Sequence, residues 1–325
     1  MLDFRNGEMA ALRSPVSVVM PCFNASRTLE TAIASALGQI DCHVDVIVVD
    51  DGSSDGSPEL VRELAQTDPR VRLIQQANSG PSAARNRGIA AAAGRVIAFL
   101  DADDLWLPDH LQRHLAELAR DPGLGLSFSA TTLIDRFGQP TGEVTPPWTR
   151  NLEPVDLLAG NPTSTCSTLV FRREVFEAAG PLRVDMHHAE DQEWLFRVAR
   201  TSWKVRGISE RTVQYRTSPS GLSADTDCMR VGWLRFMELA QELEPRLVET
   251  HGARATAMIS LYWAQRALRT GQPFHVARRH LSNALTASPA TAAASSLRTL
   301  AIAGGCVAPK LVGQIISQAR RLRRA

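Results

Sequence analysis

The sequence predicts an α/β protein built on a mixed, mostly parallel sheet flanked by helices, and three observations support this class. Apolar runs rich in Val and Ile alternate with amphipathic segments through the first third of the chain. The runs VSVVM, VDVIVVD and RVIAFL are apolar at odd and even positions alike, which is typical of strands buried on both faces. A polar loop follows each run. Because ligands of such sheets bind at the carboxyl ends of the strands, these loops should hold the functional residues.

The same signals place the individual elements. Pro81 suits the first turn of a helix and Gly94 its end, which marks one helix between them. Strands are predicted over residues 16–20, 44–50, 71–75 and 95–100. Helices are predicted over residues 26–37, 57–66, 81–93 and 190–200, followed by a C-terminal helical extension with helices over 225–248, 253–269 and 274–285.

Composition excludes several classes of function. A formal charge of +2 over 325 residues is too small to indicate nucleic acid as the main partner. The five cysteines lack CxxC spacing, which argues against a zinc site or a disulfide framework and favours a reducing compartment. The first residues lack the apolar stretch of a secretory signal, and no uninterrupted 18-residue apolar run occurs. We therefore expect a cytoplasmic protein.

Three carboxylates, Asp101, Asp103 and Asp104, follow the fourth predicted strand within four residues. Like charges beside a buried strand are unfavourable unless a cation offsets them. In an extended segment Asp101 and Asp103 would point to the same side, and two oxygen ligands without His or Cys suit Mg²⁺ or Mn²⁺. Such an ion completes its shell with water and phosphate oxygens. The alternative is that the aspartates cap the helix expected near Pro108.

Phosphate-binding signatures of the common nucleotide folds are absent, since the chain has neither GxxxxGK[ST] nor GxGxxG after a strand. Asp50 and Asp51 instead end the second strand before a Gly/Ser turn, where a carboxylate can accept from a nucleobase or a ribose. The alternative is a plain turn that caps the next helix. Arg85 can neutralise phosphate, although a single Arg on a helix is commonly a surface residue.

Four segments occur in a characteristic order: VSVVMPCFNASRTLETAIASALGQ, VIVVDDGSSDGS, NSGPSAARNRGIAAAAGRVIAFLDADDLWLP and AEDQEWLFRVAR. Together they resemble the family 2 inverting glycosyltransferases with the GT-A fold, over about residues 16–223. The resemblance implies a Rossmann-like GT-A domain over residues 1–223, with a nucleotide-binding half near 15–108 and an acceptor half near 109–223. Residues 224–325 would form a separate helical region.

The resemblance implies a nucleotide-diphospho-sugar donor, usually a UDP-sugar, and a glycan or lipid-linked acceptor. It places side chains that follow the first two predicted strands, and one from the helix after Pro81, around the donor. The residues that would flank the nucleoside are Pro21, Phe23 and Asn24. Asp51 would hold the base, and Arg85 would lie near the donor.

The resemblance also assigns a metal and a base. Asp103 would be the main ligand of a divalent cation, Mn²⁺ or Mg²⁺, on the diphosphate, with Asp101 close to the ribose and the metal. The base of the family lies in the acidic pair that opens a later helix, here Glu190 and Asp191, and is carried onto Asp191. One base and one metal serve a single in-line displacement at the anomeric carbon. The alternative for the acidic pair is favourable charge at a helix N-terminus.

Two departures from the family pattern concern the second half of the domain. Ser218 stands in YRTSPSGLS where the family often has a His, and GPLRVD replaces the usual segment before the acidic pair. Two other functions compete with sugar transfer. A nucleotidyltransferase would also use metal-bound phosphates but would leave the Glu190–Asp191 helix without a task, and a non-catalytic nucleotide-sugar binder would not need the base.

The C-terminal segment 310–325 is basic and amphipathic and ends in RRLRRA. Its apolar side chains and terminal arginines suit peripheral contact with an anionic membrane face, which would bring the protein to lipid-linked acceptors at the inner membrane. The alternatives are a solvated helix end and a docking helix for a second subunit.

Overall fold

The structure is a computed structural model, and it describes residues 15–217 and 225–294. The chain divides into two compact units. The described part of the first unit comprises residues 15–154 and 161–217, and that of the second comprises residues 155–160 and 225–294.

Within the described residues, the first unit is built around one sheet of nine strands. The strands are β1 Val16–Cys22, β2 Val44–Asp50, β3 Val71–Gln75, β4 Val96–Phe99, β5 Leu105–Trp106, β6 Leu124–Ile134, β7 Pro140–Val144, β8 Val170–Arg172 and β9 Lys204–Arg216. In the order β3-β2-β1-β4 they run parallel. The order continues with β8, β6, β9 and β5, where β8 is antiparallel to both neighbours and β6 is parallel to β9. The predicted mixed α/β class is confirmed.

Helices of the first unit cover both faces of the parallel half. They are α1 Leu29–Leu37, α2 Ser57–Thr67, α3 Pro81–Ala91 and α4 His110–Arg120, with α6 Arg173–Ala179 and α7 Glu190–Ala199 farther along. Val46 and Val48 of β2 belong to the core that includes α1, α2 and α4. Ile47 and Val49 pack with Ala84 of α3. Because alternate residues of β2 are buried on opposite faces of the sheet, its sequence is a continuous apolar run.

Helix α3 lies close to β1 because of one glycine. A Cβ atom on Gly88 would lie 2.3 Å from Cγ1 of Val19, far inside van der Waals contact. Arg85 stands three residues earlier and is buried on the same helix. Since residues three apart share a helix face, the close approach at Gly88 also brings Arg85 toward the sheet.

The second unit is helical in its described part. Helix α5 is Pro154–Leu158, and all of it except Pro154 belongs to this unit. The other described helices of the unit are α8 Thr226–Leu243, α9 Pro245–Arg269, α10 Phe274–Ala287 and α11 Pro289–Ala294. Trp233 of α8 meets Trp263 of α9 edge to face, with ring centroids 5.6 Å apart, and Trp233 Nε1 donates to Leu158 O. None of the helices in the described ranges is long and apolar enough to cross a membrane.

Several predicted bounds need correction. The helix predicted over 225–248 ends at Leu243, and the next begins at Pro245 rather than at residue 253. The residue before a proline avoids the helical region, and Glu244 has φ −142° and ψ 64°. Strand β1 extends to Cys22, and α1 begins at Leu29 instead of residue 26. Ser218 and the segment 310–325 lie outside the described residues, so the expectations placed on them stay predictions.

Candidate functional site

Asp104 anchors the turn that follows β4. Its side chain is fully buried, and Oδ2 accepts hydrogen bonds from Ser167 Oγ at 2.7 Å and Thr165 Oγ1 at 3.1 Å. Oδ1 accepts from the backbone N–H of Arg216 at 2.8 Å. Burial, followed by the charges of Asp103 and Asp101, raises the pKa of Asp104 well above its usual value. Asp104 therefore fixes the turn to two distant segments and is not free to act as a ligand.

The segment from Asp101 to Asp104 is a turn, with Asp104 N donating to Asp101 O over 3.1 Å, so the expectation of an extended segment is wrong. The side chain of Asp101 is partly buried, and its Oδ2 accepts from Thr165 Oγ1 at 3.2 Å. The side chain of Asp103 is exposed, and its carboxylate accepts no hydrogen bond from any other described residue. Although solvent reaches the Asp103 carboxylate, nearby protein removes part of its hydration, and this effect and then the charge of Asp101 raise the pKa of Asp103 to about 6.

Arg85 supplies the positive charge beside these carboxylates. Its residue exposure is only 5%, so the surface position suggested for a single helical Arg is wrong. Nη2 donates to Asp101 Oδ1 at 2.6 Å, and Nη1 lies 3.7 Å from Glu190 Oε1. Nε and Nη1 have no hydrogen-bond partner within the described residues. Arg85 thus joins the turn after β4 to the acidic pair that opens α7.

Asp191 lies in the first turn of α7, directly after Glu190. The helix is entered through Ala189 at φ +60°, a left-handed conformation uncommon for alanine. Asp191 Oδ1 accepts from the backbone N–H of Gln192 at 2.7 Å, and Oδ2 accepts from Asn161 Nδ2 at 2.7 Å. Burial and then the charge of Glu190 raise the pKa of Asp191 to about 6. The pKa of Glu190 is also raised by its burial, against the opposing effect of Arg85.

A polar segment before β8 completes the site, and sequence reasoning did not identify it. Asn161 contacts Asp191, Thr165 contacts Asp101 and Asp104, and Ser167 contacts Asp104. The signal that could have found it is the run NPTSTCST, which is polar although it leads into a buried strand.

The loops after β1 and β2 form the neighbouring part of the same sheet edge. Asn24, at φ +51°, donates its N–H to Ser53 Oγ at 2.9 Å and accepts from Ser54 N at 2.9 Å on Oδ1. Phe23 leaves 53% of its surface exposed, and Pro21 is partly buried at the end of β1. An exposed aromatic ring on a loop held by such bonds is suited to contact a flat ligand.

Asp51 connects the loops after β2 and β3. It is buried, Oδ1 accepts from Ser79 N at 2.8 Å and Gln76 Nε2 at 2.7 Å, and Oδ2 accepts from Gly80 N at 2.8 Å. These bonds position the start of α3. The assignment of Asp51 to a nucleobase stays a prediction beside this structural role.

The donor atoms around the turn fit a hard divalent cation. They are all oxygens, the Asp103 carboxylate is open, and Asp101 lies close enough for its charge to act on Asp103. No group of three or more His, Cys, Asp or Glu side chains that could hold a metal occurs in residues 15–217 or 225–294. Asp103 and Asp101 would therefore hold such an ion only together with water and substrate oxygens, the pattern typical of Mg²⁺.

Trp194 has no place in the open site. It is fully buried, its Nε1 donates to Gly180 O at 3.0 Å, and its ring packs against Phe171 at 5.1 Å. It stabilises the attachment of α7 to the sheet.

The structure thus defines an α/β protein with acidic turns gathered at the carboxyl edge of its sheet, and comparison with known proteins supplies the family. The model of glycosyl transferase family 2 matches residues 17–180, and the chain belongs to this family. A glycosyltransferase of Nostoc sp., alr2836, is 36% identical over 176 residues, which cover 51% of this chain and 53% of the relative. The chain thus spans about half the length of that relative.

Two solved structures share the fold at low identity. The mannosyltransferase PcManGT from Pyrobaculum calidifontis, in complex with GDP-Man and Mn²⁺, has a TM-score of 0.56 and 20% identity and covers 94% of each chain. TarS 1–349 of S. aureus, in complex with UDP-GlcNAc, has a TM-score of 0.57 and 16% identity, with 87% of this chain and 91% of that chain covered. The predicted GT-A fold is confirmed.

Proposed function

We propose that this protein is an inverting glycosyltransferase that moves a sugar from a nucleotide-diphospho-sugar, a UDP-sugar, to a hydroxyl of a glycan or a lipid-linked acceptor. Membership of family 2 and the nucleotide sugars bound by TarS and PcManGT support a donor of this class. Those two proteins bind different bases, so the titration of the donor site uses both UDP and GDP.

The observation that carries the proposal is the position of Arg85 between two acidic groups with different tasks. On one side lies Asp101, in the turn suited to the donor diphosphate, at 2.6 Å. On the other lies Glu190, at 3.7 Å, beside Asp191. A protein that only bound a nucleotide sugar, or that transferred a nucleotidyl group, would have no use for a carboxylate base beside the turn Asp101–Asp104.

Asp191 is the residue that would accept the proton of the acceptor hydroxyl. The acceptor oxygen would then attack the anomeric carbon while the bond from that carbon to the diphosphate oxygen breaks, and the nucleoside diphosphate would leave. Because there is one displacement, the anomeric configuration inverts. A pKa of about 6 leaves Asp191 ionised at neutral pH and still basic enough to take a proton as the transition state develops.

Asp103 and Asp101 would hold Mn²⁺ or Mg²⁺ against the diphosphate, and the ion would neutralise the charge that develops on the leaving group. Asp104 keeps the turn in place through its bonds to Ser167 and Arg216. Arg85 balances Asp101 and Glu190, so the two carboxylates tolerate each other in a partly buried site.

Calorimetric titration with UDP and with GDP, in Mn²⁺ and then in EDTA, tests the donor site. We expect metal-dependent binding of UDP that is lost in Asp103→Ala and kept in Asp68→Ala. Asp68 directly follows α2 and precedes β3, at the opposite edge of the sheet, so it is a matched carboxylate control. Binding of neither nucleotide under any condition would overturn the proposal.

Turnover of a panel of sugar nucleotides then tests the reaction. We expect release of nucleoside diphosphate and a product of inverted configuration by NMR, with Asp191→Asn inactive but still able to bind UDP. Release of the sugar 1-phosphate, with the nucleoside monophosphate passed to the acceptor, would instead indicate nucleotidyl transfer. Binding without turnover of any donor and acceptor would indicate a binding protein.

A further inference from the structure

We infer that Asn161 is a positioning residue for Asp191 and that Thr163 fixes the orientation of the Asn161 amide. This inference rests on the proposed function, because it assigns a task toward the proposed base. Asn161 lies 30 residues before Asp191 in the chain, and its Nδ2 donates to Asp191 Oδ2 at 2.7 Å.

The orientation of the Asn161 amide follows from its second contact. Oδ1 accepts from the backbone N–H of Thr163 at 3.0 Å and from the Thr163 hydroxyl at 2.8 Å. A backbone N–H can only donate, so the oxygen of the amide must face Thr163 and the nitrogen must face Asp191. Thr163 is 1% exposed, so water has little access to replace its hydroxyl. A flipped amide would place its NH₂ group against the N–H of Thr163 and its oxygen against the carboxylate oxygen of Asp191, and both contacts would be repulsive.

Thr163 is itself held by the polar segment before β8. Its carbonyl accepts from Thr168 Oγ1 at 3.2 Å, and Thr168 is fully buried in the short 3₁₀ helix Cys166–Thr168. The chain of bonds therefore runs from a rigid buried turn through Thr163 and Asn161 to Asp191.

This contact constrains the plane of the Asp191 carboxylate. The other bond to Asp191, from the backbone N–H of Gln192, comes from its neighbour in the same helix and moves with it. The Asn161 amide comes from a different segment and fixes Oδ2 relative to the sheet edge. Each oxygen accepts one of these bonds and keeps a second lone pair, so Asp191 can be oriented and still accept a proton.

Replacement of Asn161 tests the assignment in the full chain. In Asn161→Ala we expect kcat to fall by about 10- to 100-fold, as for loss of precise orientation at a reacting group, while the affinity for UDP is unchanged. The fall of kcat/KM in acid should begin at a higher pH, because the ionised Asp191 carboxylate loses a hydrogen-bond donor and its pKa rises. Thr163→Val should show a smaller effect of the same kind, and Thr163→Ser, which keeps the hydroxyl, should restore activity. Asn151→Ala, at an exposed asparagine outside the site, is the matched control.

A second readout does not depend on turnover. The ¹³C resonance of the Asp191 carboxyl, assigned with Asp191→Asn, reports its ionisation directly. A higher pKa of Asp191 in Asn161→Ala supports the assignment, and an unchanged titration together with an unchanged kcat overturns it. If the wild-type protein transfers no sugar, the proposed function fails, and the same NMR comparison decides the contact on its own.

Discussion

Arg85 and Asp101 form a salt bridge of 2.6 Å whose cation is almost fully buried and whose anion is partly open to solvent. The residues lie 16 positions apart, on α3 and on the turn after β4. A buried cation needs a partner, because removal of one member leaves an uncompensated charge. Arg85 also lies near Glu190, so one guanidinium balances two carboxylates.

Loss of this cation should destabilise the protein. For Arg85→Met we expect the free energy of unfolding in urea to fall by about 2 to 4 kcal/mol, since Asp101 and Glu190 lose their counter-charge. Addition of Asp101→Asn to that variant should recover part of the loss. Arg62→Met, in an exposed pair with Glu59, should change stability by less than about 1 kcal/mol. Equal effects at both arginines would contradict the balancing role.

Activity should decrease in acid. Asp191 must be ionised to accept a proton, and burial with the charge of Glu190 raises its pKa to about 6. As pH falls below that value the protonated, inactive form predominates, so kcat/KM at pH 5 should be about tenfold below its plateau. Initial rates from pH 4.5 to 8 check this slope. Asp41→Asn, at an exposed carboxylate, should keep the wild-type profile, and a flat profile down to pH 5 would count against Asp191 as the base.

Two buried histidines of α4 should make stability sensitive to acid. His114 is fully buried, with Nδ1 at 2.8 Å from Ser127 Oγ, and burial lowers its pKa to about 3. The unfolded chain takes up this proton near pH 6.5, so the folded state loses about 1.4 kcal/mol per pH unit below that pH until about pH 3. His110, at ring distance 4.6 Å, has its pKa lowered by burial and by His114.

His114→Gln isolates this effect. The stability advantage of the wild type over His114→Gln should shrink by about 2 kcal/mol between pH 7.5 and pH 5, because only the wild type loses stability through His114. Urea unfolding at both pH values measures the difference. His43→Gln, at an exposed histidine, should leave the pH dependence unchanged. A constant difference between the wild type and His114→Gln would show that His114 accepts a proton in the folded state.

Close packing of α3 on β1 should make Gly88 intolerant of a side chain. Gly88→Ala places Cβ 2.3 Å from Cγ1 of Val19, and we expect a loss of about 1 to 3 kcal/mol from overpacking. Val19→Ala should relieve part of the loss when the two changes are combined. Gly56→Ala, where a Cβ has open space, is the control and should cost less. Thermal unfolding of the four variants measures the coupling.

Sequence periodicity predicted the parallel half of the sheet well. Strands β2 and β3 begin and end where the apolar runs do, because both faces are covered and polar residues stop each strand. Pro81 likewise opens α3 as expected. The break before Pro245 was signalled by the proline itself, and the continuous periodicity on either side obscured it.

The sequence indicated acidic candidates for the site but not the residues that contact them. Asp101 and Asp103 could be proposed as candidates because they carry charge directly after a buried strand, whereas Asp191 was assigned through the family resemblance. The bond from Asn161 joins residues 30 positions apart, and no local pattern specifies it. The burial of Arg85 was missed for the same reason, since it depends on the approach of α3 to the sheet.

The anchoring of Asp104 has a consequence for how the protein is made. Its bond to the Arg216 N–H spans 112 residues, and its bond to Ser167 spans 63. During synthesis at about 5 to 20 residues per second, the turn Asp101–Asp104 would wait roughly 6 to 20 s after Asp104 is made before Arg216 exists to complete it. The nascent chain therefore carries three carboxylates within four residues without their final anchor, and the turn becomes rigid only when β9, the last of the described strands, joins the sheet. The site is among the last parts of the domain to form, although most of its acidic residues are translated early.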